Sequence, residues 1–313
     1  VLGAGSWGTT LANLLAKKGL PVRLWSFEAE VAASIRERHE NVQYLPGIWL
    51  DERLQATTSM ADAVRDATVV VSVSPSQHVR GVMEQAVPHL GEDALVVSAS
   101  KGIETATQKT MAEVMEDVLP AAIAAHACYL SGPSFALEVA QEKPTAVSVA
   151  SHAEPAARRA QALFQTPYLR VYTNPDVRGV ELGGALKNVI ALAAGMAVGL
   201  GLGHNAVAAL ITRGLAEIGR LGVVLGANPL TLAGLAGMGD LILTCTGHLS
   251  RNRTVGVQLG EGKPLAEILA GMRMVAEGVE TTRAAYALAR RKGVEMPIVE
   301  PVHAVLFEGL PPR

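Results

Sequence analysis

Metal sites, disulfides and membrane spans find little material in this chain. It has two cysteines, Cys128 and Cys245, far apart and in no CxxC pair. That suits a reducing cytoplasm and argues against a disulfide framework or a structural zinc site. The eight histidines form no H-x-x-x-H pair and no His/Cys group at ligand spacing, so no metal is expected. G-x-S-x-G and Walker A sequences are both missing. No run of about 18 apolar residues is free of glycine and charge. The most apolar stretch, residues 189–202, is broken by Gly195, Gly199 and Gly201 and reads as a buried helix before a membrane span. No signal peptide is visible. A net charge of -2 gives no general attraction for nucleic acid or an anionic membrane.

What is present fits a compact protein of two domains: 313 residues, 49% apolar and 18% charged. The first half alternates β-type and helical patterns. Residues 22–25, 68–73, 94–98, 127–130, 145–149 and 169–172 read as strands, and 11–18, 30–38, 77–87, 108–118 and 154–164 as helices. Such alternation implies a parallel sheet covered on both faces. The pattern changes at Asn174-Pro175. Beyond it the helical candidates are 182–198, 206–221, 230–235, 265–269 and 280–291, with almost no strand signal. The expected fold class is α/β: a doubly wound domain over 1–174, then an all-helical domain over 175–313.

Gly3-Ala-Gly5-Ser6-Trp7-Gly8 is a G-x-G-x-x-G motif between a would-be strand and a helical pattern. The first glycine turns the chain, the second admits a pyrophosphate, and the third allows close helix–strand packing. The helix N-terminus favours the anion. The motif arrives after only two residues, which implies a few more residues in front of Val1 in the natural chain, since a strand needs about five. The second strand should end on the residue that reads the ribose. Here it runs Leu24-Trp25-Ser26-Phe27-Glu28, with no carboxylate at 26 or 27 and no arginine beside them. NAD and NADP both stay open, with a lean to NADPH.

Lys187 sits in residues 180–203, where Glu181 is the one other charge. On a helix it would have Gly183 and Gly184 one turn before it and Ile190 and Ala191 one turn after. Desolvation lowers a lysine pKa toward neutrality and makes it a general base. A lysine snorkelling to the surface fits this stretch equally. Asp240 and Thr244 are four apart and would share a helix face. Ser250, Arg251 and Asn252 offer a hydroxyl, a guanidinium fork suited to phosphate, and an amide. They fit a capped, solvated helix end as well. Ser100-Lys101-Gly102 and Ser131-Gly132-Pro133-Ser134-Phe135-Ala136 follow predicted strands, where ligands bind in open α/β sheets.

Taken together, GAGSWG, SKG, SGPSFALEVA, GALKN, GDLILTCTGHLSRNR and VAEGVET resemble the bacterial NAD(P)-dependent glycerol-3-phosphate dehydrogenases over nearly the whole chain. The resemblance implies interconversion of dihydroxyacetone phosphate and sn-glycerol 3-phosphate with NAD(P)H, for phospholipid synthesis. It makes Lys187 the proton acceptor, with Asp240 and Thr244 around the reacting carbinol. It assigns Lys101, Gly132, Ser134, Asn188, Ser250, Arg251 and Asn252 to substrate. It assigns Ser6, Trp7, Phe27, Lys101, Ala136, Arg251, Val275 and Glu277 to the cofactor, beside Gly3, Gly5 and Gly8. Phe27 departs from the family, where a basic or polar residue is commoner, and residues 73–76 depart slightly. The expected protein is cytoplasmic, takes a small phosphorylated substrate, and neither binds nucleic acid nor inserts into membrane; its oligomeric state stays open, with a homodimer among the options. Two alternatives remain: a related hydroxyacid dehydrogenase or ketopantoate reductase, which would lack SRNR, and a non-catalytic dinucleotide sensor, which has no use for Lys187 in an apolar helix.

Overall fold

The computed structural model describes residues 1–272 and 274–312. The chain forms two compact units, Val1–Ser100 with Met111–Leu130 and Ser134–Pro175, and Lys101–Thr110 with Ser131–Pro133 and Asp176–Arg313.

The first stretch of chain gives α1 (Ser6–Lys17), β1 (Val22–Trp25), α2 (Ala29–Arg38), β2 (Leu54–Thr57), α3 (Met60–Val64), β3 (Val69–Ser72), α4 (Val79–Ala86) and β4 (Leu95–Ser98). A short antiparallel ladder follows, β5 (Ile103–Glu104) with β6 (Lys109–Thr110). Then come α5 (Met111–Val118), α6 (Ala121–Ala124), β7 (Cys128–Ser131), α7 (Ala136–Ala140), β8 (Thr145–Ala150), α8 (Glu154–Phe164) and β9 (Leu169–Asn174).

Strands β3-β4-β7-β8-β9 lie side by side in that order, and β1 pairs β2. Leu2 bridges both groups, parallel to Trp25 on one side and to Ser72 on the other. The sheet order is therefore that of a doubly wound dinucleotide fold, with Leu2 at the point where the order reverses. The registered pairs β1–β2, β3–β4, β4–β7 and β8–β9 are all parallel. The runs in β3 and β4, VVVS and LVVS, are apolar without alternation because helices cover both faces.

Each of the six expected strands is present. The expected helix at 77–87 is a 3-10 turn, Ser76–His78, followed by α4. The helix expected from 108 starts at Met111, because Lys109 and Thr110 pair with β5 instead. Strand β2 was not signalled: in Leu54-Gln-Ala-Thr57 burial alternates, yet only Leu54 is a large apolar residue.

Among its described residues the second unit is helical apart from the β5–β6 ladder and the last residue of β7. It holds α9 (Val177–Gly199), α10 (Gly203–Val224), α11 (Pro229–Leu232), a π-helical turn at Leu235–Gly239, α12 (Asp240–Thr246), α13 (Arg251–Gly260), α14 (Leu265–Ala270), α15 (Glu277–Lys292) and α16 (Val299–Phe307). Asp176 caps α9 by accepting from Gly179 N–H at 2.9 Å. Every residue of α9 from Gly179 to Ala197 is buried. Val177–Gly199 and Pro229–Thr246 are long and apolar enough to cross a membrane, but the best window of the first is 89% buried inside the protein. Helix α9 is thus the axis of this unit's core.

Helix α13, unexpected from its polar, glycine-containing sequence, crosses α9 at close range. A Cβ on Gly195 would stand 2.2 Å from the Arg253 carbonyl, and one on Gly256 would stand 2.1 Å from that of Leu192. Glycines on both helices let the backbones touch, and this seats the start of α13 against α9.

Candidate active site

In the first unit the glycine-rich loop is a cradle of bare backbone. Gly3 has φ +118°, a conformation that L side chains rarely adopt. A Cβ on Gly8 would stand 1.8 Å from Gly3 O, so only glycine lets α1 start there. A Cβ on Gly5 would meet nothing within 4 Å. Gly5 also precedes α1 as an N-cap that offers no side-chain hydrogen bond. Trp7 Nε1 is buried and has no hydrogen-bond partner among the described residues. Open backbone, an uncapped helix start and an unpaired buried donor fit a dinucleotide pyrophosphate.

Residues that carried no motif brace this loop. Asn41 Nδ2 donates to Ala4 O at 2.8 Å and to Thr9 Oγ1 at 2.8 Å. Ser6 Oγ donates to Tyr44 O at 2.5 Å, and Tyr44 N–H donates to Asn41 Oδ1 at 3.0 Å. At the end of β1, Ser26 is buried with its hydroxyl on Glu28 O, while Phe27 is 82% exposed. Tyr44 Oη donates to Glu28 Oε1 at 2.7 Å. Ala136, expected at the cofactor, lies by α1 in the same unit, its carbonyl accepting from Thr10 Oγ1 at 3.2 Å. Ser134 is half-buried at the start of the segment leading to α7.

In the second unit Lys187 is 7% exposed and Asp240 1%. Lys187 Nζ donates to Asp240 Oδ1 at 2.6 Å and to Thr244 Oγ1 at 2.8 Å. Thr244 donates its own proton to the Asp240 carbonyl at 2.6 Å, which leaves its oxygen to accept from Lys187. The other Asp240 oxygen accepts from Lys101 Nζ at 2.7 Å, and Lys101 also donates to Gly132 O at 2.9 Å. Lys187 therefore does not snorkel. It points into a buried cluster in which two ammonium groups share one carboxylate.

Two close approaches on α9, one turn before Lys187, make room for this cluster. A Cβ on Gly183 would stand 2.6 Å from Ala236 O in the π-helical turn that delivers Asp240, and one on Gly184 would stand 2.5 Å from Ser131 Oγ. Burial lowers the Lys187 pKa to about 8, against the pull of Asp240 upward and with a further push down from Lys101. Burial alone would raise the Asp240 carboxyl, but the two ammonium groups outweigh it and hold the pKa below the usual value. The Cys245 thiol, next to Thr244, is pushed up to about 12 by burial and adds no charge.

A second group gathers at the start of α13. Ser250 is its N-cap, accepting from Arg253 N–H at 3.2 Å, as a structural role would have it. Arg251, however, is not merely solvated: its Nη1 donates to Val275 O at 2.8 Å. Asn252 Oδ1 accepts from Gly278 N–H at 2.9 Å, leaving the NH2 end to donate to a ligand. A Cβ on Gly278 would stand 2.7 Å from Asn188 O, so α9, α13 and the start of α15 at Glu277 converge here. Asn188, Ser250, Arg251, Asn252, Val275 and Glu277 thus lie on three adjoining segments. Gly278 carried no separate signal in the sequence.

The family profile described as NAD-dependent glycerol-3-phosphate dehydrogenase N-terminus matches residues 1–157, and its C-terminus counterpart matches residues 176–313. The chain belongs to this dehydrogenase family. Among relatives, the glycerol-3-phosphate dehydrogenase [NAD(P)+] of Geobacter metallireducens is 61% identical over 100% of this chain and 93% of its own. That of Citrifermentans bemidjiense is 58% identical over 98% of this chain and 92% of its own. The crystal structure of the Coxiella burnetii glycerol-3-phosphate dehydrogenase superposes with a TM-score of 0.95 at 40% identity, covering 99% of this chain and 94% of the other. A ketopantoate reductase from Ralstonia eutropha, at 15% identity and a TM-score of 0.63 over 97% and 96% of the two chains, shares the fold alone.

Proposed function

We propose that this dehydrogenase interconverts dihydroxyacetone phosphate and sn-glycerol 3-phosphate, supplying the latter for phospholipid synthesis. The observation that carries this reading is the buried Lys187–Asp240–Lys101–Thr244 cluster. An ammonium has three N–H donors, and two on Lys187 are engaged by Asp240 and Thr244. The third is left for the oxygen on C2 of the substrate. In reduction Lys187 gives this oxygen a proton, and in oxidation its neutral amine takes the hydroxyl proton. Asp240 and Thr244 aim Nζ, and Lys101 supports the substrate from the other side of Asp240 together with Gly132 and Ser134. Arg251, Asn252 and Ser250 hold the phosphate, with Asn188 beside them. NAD(P)H, when bound, supplies the hydride, held by Gly3, Gly5, Ser6, Trp7, Gly8, Phe27 and Ala136, with Lys101, Arg251, Val275 and Glu277.

Residues 1–174 supply most of the cofactor contacts in this scheme, with Lys101, Gly132 and Ser134 given to substrate, and 175–313 supply the remaining substrate and catalytic groups. NADPH is preferred over NADH, a choice supported by the engagement of Glu28 with Tyr44 and by the lack of a carboxylate at 26 and 27. We infer a cytoplasmic enzyme outside the membrane, for which a homodimer is one assembly to test. The test is oxidation of NADPH with dihydroxyacetone phosphate, then ketopantoate, then neither. Turnover with the phosphate ester alone is expected. Turnover with ketopantoate alone would replace this function with the keto-acid one, and turnover with neither would point to a sensor.

A further inference from the structure

Ser131 carries the least explained buried group near this cluster. The residue is 5% exposed, and its Oγ makes no hydrogen bond among the described residues. Buried hydroxyls are nearly always paired, so its location needs a reason. The hydroxyl faces α9 at Gly184. A Cβ on Gly184 would stand 2.5 Å from Ser131 Oγ, 3.5 Å from Ser131 Cβ and 3.7 Å from Lys101 Cδ. The oxygen thus fills the notch that Gly184 leaves on the helix, beside the stem of Lys101. Gly184 lies one turn before Lys187 and Asn188, on the same helix face. The residue after Ser131 is Gly132, whose φ of +144° suits glycine and whose carbonyl accepts from Lys101 Nζ.

We infer that Ser131 and Gly184 are a positioning pair for the proposed reaction. The Ser131 side chain, seated on the bare backbone of Gly184, sets the height of the Gly132 carbonyl above α9. That carbonyl holds the Lys101 ammonium against Asp240, and Asp240 in turn aims Lys187. The inference rests on the reading of Lys187 as the proton carrier. A side chain at 184 would lift the Ser131–Pro133 segment and draw Lys101 off Asp240. Three titratable groups act on Lys187: Asp240, Lys101 and Cys245. Moving Lys101 away removes the like charge that favours the neutral amine, so oxidation would need a higher pH.

The experiment is a cycle of wild type, Gly184→Ala, Ser131→Ala and the double variant. It measures kcat for glycerol 3-phosphate oxidation across pH, with melting temperature and NADPH affinity alongside. Gly184→Ala should lower kcat about tenfold or more and move the acid limb to higher pH. Ser131→Ala alone should cost less than about threefold. The double variant should return to within about threefold of Ser131→Ala, because the atom then facing the new methyl is Ser131 Cβ at ordinary contact distance. Wild-type kcat with an unmoved limb in Gly184→Ala would overturn the inference. So would a deficit that persists undiminished in the double variant. If Gly184→Ala does not fold, Ser131→Thr, which adds a methyl beside the same notch, must show the limb shift instead, and an unmoved limb there overturns the inference equally. A wild type inactive on both substrates of the reaction would fail the functional reading itself, a result separate from any in the cycle.

Discussion

Lys187 and Asp240 are 53 residues apart in the chain and 2.6 Å apart in space. The pair reconciles two opposing demands on a general base. Burial makes Lys187 willing to lose its proton, while the carboxylate keeps Nζ in place and stops the pKa from falling further. Lys187→Met should keep the fold and cofactor affinity, since the stem length and apolar surroundings suit methionine. Turnover should drop by about 10²–10⁴-fold, the usual contribution of acid–base catalysis. Lys187→Arg should fail too, because guanidinium stays protonated. A Lys187→Met variant that binds NADPH and keeps more than about a tenth of wild-type kcat would move the role to another residue.

The pH dependence has a definite sign. Lys187 must be neutral to accept the hydroxyl proton, so glycerol 3-phosphate oxidation should rise with pH through about 8. Reduction needs the ammonium and should fall through the same region. Rates of both directions between pH 6 and 10 check this. An oxidation rate that is flat across that range would contradict it.

Asp240→Asn should change both the profile and the stability. Without the carboxylate the buried Lys187 ammonium and the partly buried Lys101 ammonium face each other, and breaking a buried ion pair costs about 3–5 kcal/mol. The melting temperature should fall. Asp240 raises the Lys187 pKa, so its loss should move the acid limb of oxidation to lower pH. An unchanged limb together with an unchanged melting temperature would show that Asp240 does not serve Lys187.

Much of this arrangement was legible in the sequence, and the illegible parts have physical causes. Strands β3 and β4 announced themselves because burial on both faces demands apolar runs, whereas β2, with one large apolar residue, did not. The position of Lys187 in a charge-poor stretch left burial and snorkelling equally open, since periodicity says nothing of what faces a helix. The decision came from Asp240, Thr244 and Lys101, all distant in sequence. Asn41 and Tyr44 brace the glycine loop from a segment without strand or helix period, so no pattern marks them. Helix α13 was hidden because its glycines, unfavourable for an isolated helix, are required by its contact with α9.

Arg251→Ala should separate phosphate recognition from the chemistry. A charge-assisted contact is worth about 1.5–3 kcal/mol, so kcat/KM for dihydroxyacetone phosphate should fall roughly tenfold to a hundredfold. Unphosphorylated dihydroxyacetone should lose little. Equal losses on both substrates would place Arg251 away from the phosphate.

The cofactor preference turns on Glu28. Its carboxylate is engaged by Tyr44 Oη at 2.7 Å, so it is restrained from turning to a ribose. NADPH should have the higher kcat/KM in the wild type, and Tyr44→Phe should narrow the gap by releasing Glu28 to meet the 2′-hydroxyl of NADH. A strong NADH preference in the wild type would show that Glu28 reads the ribose already.

A methyl group at Gly256, in the contact between α9 and α13, should cost far more than one at Gly219 in α10. A Cβ on Gly256 would stand 2.1 Å from Leu192 O and 2.9 Å from Gly195 Cα, both backbone atoms that cannot rotate away. A Cβ on Gly219, inside α10, would meet nothing within 4 Å. Gly256→Ala must therefore separate the helices, at a cost of about 1–3 kcal/mol for overpacking. Gly219→Ala should be neutral or stabilising by about 0.5–1 kcal/mol, since alanine is the better helix former. Because Ser250, Arg251 and Asn252 ride at the start of α13, Gly256→Ala should also raise KM for dihydroxyacetone phosphate more than KM for NADPH. Thermal melts of both variants and the two KM values decide it. Equal melting temperatures would mean that the crossing relaxes freely, and an unchanged KM for the phosphate ester would mean that α13 does not set the position of Arg251.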